Sequence, residues 1–249
     1  MNSSQQASVA LITGAAKRLG AATAKALHKQ GYSVAIHYRQ SKSDAEALCA
    51  ELNAQRTGSA VCIPARLEVI EEVEALAHTT LQHFSRCDVL INNASAYYST
   101  PLPQATTQHW DELFASNAKA PYFLSKYLAQ ELSQRKGAIV NIADIHAQRP
   151  KNLYSIYCMA KAANMMMTKS LALELSPHVR VNGIAPGAAL WPENAEGEAL
   201  EDPKELAAVP LKSLGGSESI VETILFLVQQ AQYITGQCVN VDGGRTLIQ

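Results

Sequence analysis

Residues 8–20 read SVALITGAAKRLG. SVALIT is short, apolar and rich in β-branched residues, which predicts a strand. TGAAKRLG then predicts a turn that opens a helix. Gly14 permits a tight turn and close backbone approach, and Gly20 permits close packing of the helix. A helix starting there presents its first N–H groups to an anion such as a pyrophosphate. Gly14, Lys17, Arg18, Leu19 and Gly20 are therefore candidate dinucleotide ligands. The spacing is looser than GxGxxG, so a glycine turn without a ligand stays open as a reading.

The same alternation continues outward along the chain. Strands are expected at 8–13, 33–38, 59–64, 88–93, 137–142, 179–184 and 238–242, with helices near 18–30, 42–56, 68–85, 107–135, 154–176 and 217–230. Nearly continuous apolar strands between helices imply a parallel sheet covered on both faces. The fold class expected is α/β, a Rossmann-type doubly wound parallel sheet of about seven strands. The 249 residues are expected to form one domain, with a flexible N-terminus over 1–7. Residues 185–210 hold Pro186, Pro192, Pro203 and Pro210 and read as a long substrate loop or lid.

The formal charge of −1, with Lys and Arg scattered, gives no polyanion-binding surface, so nucleic acid is not an expected partner. The five cysteines are odd in number and form no CxxC pair. That argues against a disulfide framework or a zinc site and fits a reducing compartment. The polar start MNSSQQAS has no signal-peptide core, and no apolar run is long enough to span a membrane. A cytoplasmic location is the expectation.

The end of the second strand bears on the choice of dinucleotide. NAD enzymes usually carry an acid there for the ribose 2′-hydroxyl. This chain reads IHYRQS at 36–41, with no acid before Asp44. His37, Arg39 and Ser41, beside Tyr38, are placed to hold a 2′-phosphate, and Arg18 adds charge from the glycine turn. Arginine suits a phosphate because its planar fork binds two oxygens. NADPH is the expected cofactor.

Asp144 ends the apolar run AIVNIAD, at the carboxyl end of an expected strand, where open parallel sheets bind ligands. Tyr157 and Lys161 lie one turn apart on one face of the 154–176 helix. An ammonium beside a phenol favours the phenolate and makes the phenol a better proton donor. Reducing a ketone builds negative charge on oxygen, which a carboxylate would repel. Reducing a ring C=N requires a proton on nitrogen, which a carboxylic acid can supply or relay. Asp144 with Tyr157 therefore fits imine-type reduction, although an aspartate at a loop start is also a common capping residue. Met165, Met166, Met167, Leu171 and Leu175 read as helix packing, and the uncharged run before Lys169 suggests burial against another subunit.

The ordered set 13–20, Asn92-Asn93-Ala94, Asn117, Tyr157-x3-Lys161 and Pro186-Gly187 resembles the short-chain dehydrogenase/reductase family, from about residue 8 to the C-terminus. Within it the chain most resembles the pteridine reductases, bacterial dihydropteridine and dihydromonapterin reductases among them. The segments that carry this are TGAAKRLG, HYRQS, NNASAYYSTPL, NAKAPYFL, PGAALWPE and YITGQCVNVDGG. The usual family serine is Asp144 here, and Ser95 replaces the glycine of the usual NNAG. One position departs from the family pattern. The third strand usually ends in an aspartate that binds the adenine amine, and this chain has Arg66-Leu67. Arg66 cannot accept that bond, although it can stack on adenine.

The resemblance implies a doubly wound homotetramer that reduces 7,8-dihydropterins with NADPH, with dihydrofolate a further candidate substrate. It implies that Lys161 holds the nicotinamide ribose, Tyr157 and Asp144 deliver the proton, and Asn117 orders a water and helps place Lys161. Tyr97 would stack on the pterin and Ser95 would bond its edge. Trp191 would cover the site, and the tail 243–249 would reach a neighbouring subunit's site. Asn93, Ala94, Ser95, Pro186, Gly187 and Ala188 complete the expected cofactor contacts. Two alternatives stand beside this reading. One is a carbonyl or 3-oxoacyl thioester reductase, and the other is a non-catalytic NADP-binding regulator.

Overall fold

Seven parallel strands pair in the order β3-β2-β1-β4-β5-β6-β7. They are β1 (Val9–Ile12), β2 (Ser33–Tyr38), β3 (Ala60–Pro64), β4 (Val89–Asn92), β5 (Ala138–Ile142), β6 (Arg180–Pro186) and β7 (Cys238–Val241). The computed structural model describes residues 7–189 and 203–248. Trp191, half of the expected 185–210 loop and all but Ala7 of the expected flexible terminus lie outside the described residues.

Side chains alternate across the strands and fill two separate layers. Ala10, Ile12, Val34, Ile36, Ile91 and Ile142 face one layer, formed with α1 (Arg18–Lys29), α2 (Lys42–Gln55) and α8 (Gly216–Leu225). Val9, Leu11, Ala35, Leu90 and Ile139 face the other, formed with α3 (Ile70–Phe84), α5 (Ala120–Arg135) and α6 (Ser155–Glu174). Burial on both faces is why the strands read as unbroken apolar runs. Leu27, Leu52, Leu76, Leu124 and Leu128 are fully buried, each contributing about 2 kcal/mol. Among the described residues no helix is long and apolar enough to cross a membrane.

The sequence predicts one helix over 107–135. The structure divides it into α4 (Thr107–Phe114), a π turn (Ala115–Lys119) and α5. Pro121 sits in the first turn of α5 and has no N–H for the carbonyl four residues back. The widened turn carries Asn117, which is buried. A short helix, α7 (Pro203–Ala207), stands inside the span expected to be irregular.

The strand order reverses between β1 and β4, because β2 continues the sheet on one side of β1 and β4 on the other. Ligands of doubly wound sheets bind beyond the carboxyl ends of the strands at such a switch point. The turns after β1, β4 and β5 open there.

Candidate active site

The first cleft, of about 520 Å³, lies over the β1–α1 turn. Gly14 has φ +62°, and a Cβ there would stand 3.0 Å from the Ala94 Cα. A Cβ on Gly20 would stand 2.2 Å from the Gly14 carbonyl oxygen, so both positions require glycine. Thr13 Oγ1 accepts the N–H of Asn93 at 2.9 Å and of Ala94 at 3.0 Å. The Asn93 side chain donates to the carbonyls of Thr13 at 2.9 Å and Gly14 at 3.1 Å. These bonds tie the glycine turn to the end of β4. Lys17 precedes α1 without making a side-chain cap. Lys17, Arg18, Leu19, Arg39, Leu67, Asn93, Ala94 and Ser95 all line this cleft. Arg39 also lines a smaller adjoining depression with Lys17, Tyr38 and Ser41.

A second cleft, of about 600 Å³, opens beyond β5 and β6. Tyr157, Asp144, Tyr97, Pro186, Gly187 and Ala188 line it, with Lys151, Lys204 and Arg245. The Tyr157 hydroxyl donates to Asp144 Oδ2 at 2.6 Å. The other carboxylate oxygen accepts the His146 N–H at 2.7 Å and caps a short 3₁₀ turn. Asp144 thus has both the capping and the site geometry that its position allowed. Tyr97 stacks on Tyr154 at 4.9 Å and meets Tyr157 edge-on at 4.9 Å. Its hydroxyl accepts from Lys151 Nζ at 2.7 Å. Ser95 Oγ donates to Asn117 Oδ1 at 2.7 Å, and Asn117 Nδ2 donates to the carbonyls of Ala96 and Leu113. Burial and the adjoining Asp144 carboxylate push the Tyr157 pKa well up, so the phenol is held protonated. A neutral phenol bonded to a carboxylate can give a proton to a ligand in the cleft and regain one through its partner.

The family described as enoyl-(acyl carrier protein) reductase matches residues 14–246. Pteridine reductase 1 of Leishmania tarentolae is 38% identical, covering 99% of this chain and 99% of that protein. The 3-oxoacyl-[acyl-carrier-protein] reductase of Synechocystis is 37% identical over 97% of this chain and 98% of its own length. That of Staphylococcus epidermidis is 35% identical over 94% of this chain and 97% of its own. The chain belongs to the short-chain dehydrogenase/reductase family. It is an oxidoreductase, and the reductases of this family draw hydride from a nicotinamide dinucleotide.

Three side chains of this short-chain reductase are engaged in ways that the sequence does not show. First, His37 lines the cleft but cannot be a cationic phosphate ligand. It is 2% exposed, its Nδ1 accepts the Gly14 N–H at 3.0 Å, and its Nε2 is 3.1 Å from the Ala65 carbonyl. An accepting Nδ1 places the ring proton on Nε2, where it donates to Ala65. Burial pushes its pKa down to about 4. Second, Arg66 does not reach the cleft wall. Its Nε and Nη2 donate to Glu72 Oε1 at 2.8 and 2.6 Å, while Leu67 and Glu68 line the cleft. Third, the Tyr157 pKa is raised and not lowered, because burial and the Asp144 carboxylate outweigh the Lys161 ammonium. That ammonium donates to the Ile142 carbonyl at 2.8 Å and lies 5.8 Å from the Tyr157 ring centre. Asp144 is the nearer charge on Tyr157. Burial pushes the Lys161 pKa down to about 8.

The His37 clamp has a measurable consequence. His37→Phe should strand the Gly14 N–H and the Ala65 carbonyl, costing about 2–4 kcal/mol in urea unfolding at neutral pH. The sign of the pH dependence follows from burial. The unfolded ring titrates near 6.5 and the folded ring at about 4, so the unfolded chain binds the proton first as pH falls. The His37 contribution is complete above pH ~6.5 and is lost progressively toward pH ~4, about 3 kcal/mol in all. Between those values His37→Phe should show a flatter stability profile than wild type. An equally steep profile would remove His37 from the account.

Three further residues at this site escape the motifs of the sequence. Lys151 holds the Tyr97 hydroxyl, and nothing in its local pattern marks it. Glu68 puts a carboxylate at the cleft two positions after Arg66. Asn164 is buried one turn beyond Lys161 and donates to the Asn117 carbonyl at 2.8 Å. A polar residue inside the uncharged run AANMMM, on the Tyr157–Lys161 face, was the available signal.

Proposed function

We propose that the chain is an NADPH-dependent pteridine reductase that converts 7,8-dihydropterins, such as dihydrobiopterin and dihydromonapterin, to tetrahydropterins, with dihydrofolate a further candidate substrate. The observation that carries this is the 2.6 Å bond from Tyr157 to the Asp144 carboxylate on the wall of the second cleft. A carboxylate there opposes the oxyanion of ketone reduction and favours a ring that takes a proton on nitrogen. The 38% identity to a pteridine reductase along the whole chain supports the same reading.

The first cleft fits a dinucleotide, because glycine at 14 and 20 lets the β1–α1 turn close against Ala94 and Asn93 and brings the N-terminus of α1 to the cleft wall. NADPH supplies the hydride when bound. In this reading Arg39, Arg18 and Ser41 bind its 2′-phosphate, and Lys161 holds the nicotinamide ribose. Glu68 accepts the adenine amine bond that Arg66 cannot. Tyr157 gives the proton, solvent returns one to the phenolate by way of Asp144, and Tyr97 offers its ring face to the pterin. Asn117, Ser95 and the turn Pro186-Gly187-Ala188 frame the junction of the two clefts. Met159, Met166 and Leu173 recur every seventh residue along α6 and are exposed in the single chain. That stripe supports assembly as a homotetramer. Arg245 of the tail lines the second cleft of its own chain.

With NADPH deuterated at the transferable position, the deuterium should appear on a ring carbon of the isolated tetrahydropterin. Recovery of unreduced, unlabelled dihydropterin would overturn the reading. The alternative, reduction of a 3-oxoacyl thioester, is favoured by the 37% and 35% identities to such reductases. A labelled 3-hydroxyacyl product would support it instead.

A further inference from the structure

Tyr157, Lys161, Asn164 and Thr168 follow at intervals of four, three and four residues and so share one face of α6. Three of them reach the carboxyl end of β5 or the residues just after it. Thr168 Oγ1 accepts from Asn141 Nδ2 at 2.9 Å, Lys161 donates to the Ile142 carbonyl and Tyr157 donates to Asp144. Asn164 alone turns toward the π turn, where its Nδ2 donates to the Asn117 backbone carbonyl at 2.8 Å. An α-helix would satisfy that carbonyl from the N–H four residues on, but residue 121 is proline. Asn164 is 1% exposed, and its Oδ1 has no hydrogen-bond partner. A buried amide with an orphaned oxygen is costly, so its presence requires a return elsewhere.

We infer that Asn164 is a positioning residue of the reductase. It supplies the donor that Pro121 withholds, and so fixes the widened turn that points the Asn117 side chain at Ser95. The path is short and continuous. Asn164 holds the Asn117 carbonyl, Asn117 Oδ1 accepts from Ser95, and Ser95 lines the first cleft beside Ala94. Releasing the carbonyl lets the turn relax and shifts Ser95 and Asn117 at the junction of the clefts. The inference rests on the proposed place of Ser95 and Asn117 in the site, and not on which substrate is reduced.

The test is a double-mutant cycle on Asn164→Leu and Pro121→Ala. Each variant is assayed for NADPH Kd by fluorescence and for turnover on whichever of dihydrobiopterin and a 3-oxoacyl thioester wild type reduces. Turnover on neither would count against the proposed reaction class and leave the Kd and structural arms of the cycle to decide this inference. Asn164→Leu should lower kcat about tenfold with NADPH Kd within about twofold. Pro121→Ala, which restores a backbone N–H and lets the turn narrow to an α turn, should itself lower kcat, and adding Asn164→Leu to it should cost little more. In crystals of the double variant, the restored backbone N–H at position 121 should bond the Asn117 carbonyl. Independent effects of the two substitutions, or an undiminished kcat in Asn164→Leu, would overturn the inference. Should the leucine variant not fold, Asn164→Ala runs the same cycle.

Discussion

Asp144→Ser is expected to lower dihydropterin turnover by about two to three orders of magnitude while changing NADPH affinity less than about twofold. The substitution separates the cap that Asp144 makes from the proton relay proposed for it. Serine is as good a cap as aspartate, so it can still accept the His146 N–H that now binds Oδ1 at 2.7 Å. Stability should therefore hold, and melting curves would check that. What serine cannot replace is the charged acceptor 2.6 Å from the Tyr157 hydroxyl. Without it the phenol loses the group through which it regains a proton. Turnover on a 3-oxoacyl thioester should not fall, because the charge opposing an oxyanion is gone. Equal losses in pterin turnover and NADPH binding would assign Asp144 a structural role only.

Arg39→Ala should weaken NADPH about tenfold to a hundredfold while leaving NADH within about twofold, as expected for the loss of a charge-assisted contact to the 2′-phosphate. Arg39 lines both the main cleft and the depression beside Ser41. The neutral, doubly bonded His37 cannot take over its charge. Lys17 is engaged with Asp44 at 3.1 Å. Paired titrations of the two dinucleotides into wild type and variant make the comparison. An unchanged NADPH-to-NADH preference would place the 2′-phosphate elsewhere.

The strands were legible because each is buried on both faces and so is written as an unbroken apolar run, from VALI in β1 to AIVNI in β5. The glycine turn was legible because its two required glycines have no substitute. Tyr157 and Asp144 were legible as neighbours because a strand end and a helix start meet at the carboxyl edge of the sheet. Contacts decided by tertiary approach were not. His37 lies at a strand end that reads as basic, yet the Gly14 N–H and the Ala65 carbonyl close on its ring from both sides. Arg66 is taken by Glu72, one turn into the following helix and invisible to a motif. The π turn around Asn117 arises from Pro121 together with a donor 47 residues away, and no local window holds both.

The most direct test of the central claim is the ratio of kcat/KM for dihydrobiopterin to that for a 3-oxoacyl thioester, measured with purified protein and NADPH. The Asp144–Tyr157 pair predicts a ratio of about a hundred or more in favour of the pterin. A ratio below one would contradict the account and place the chain with its 3-oxoacyl-reducing relatives.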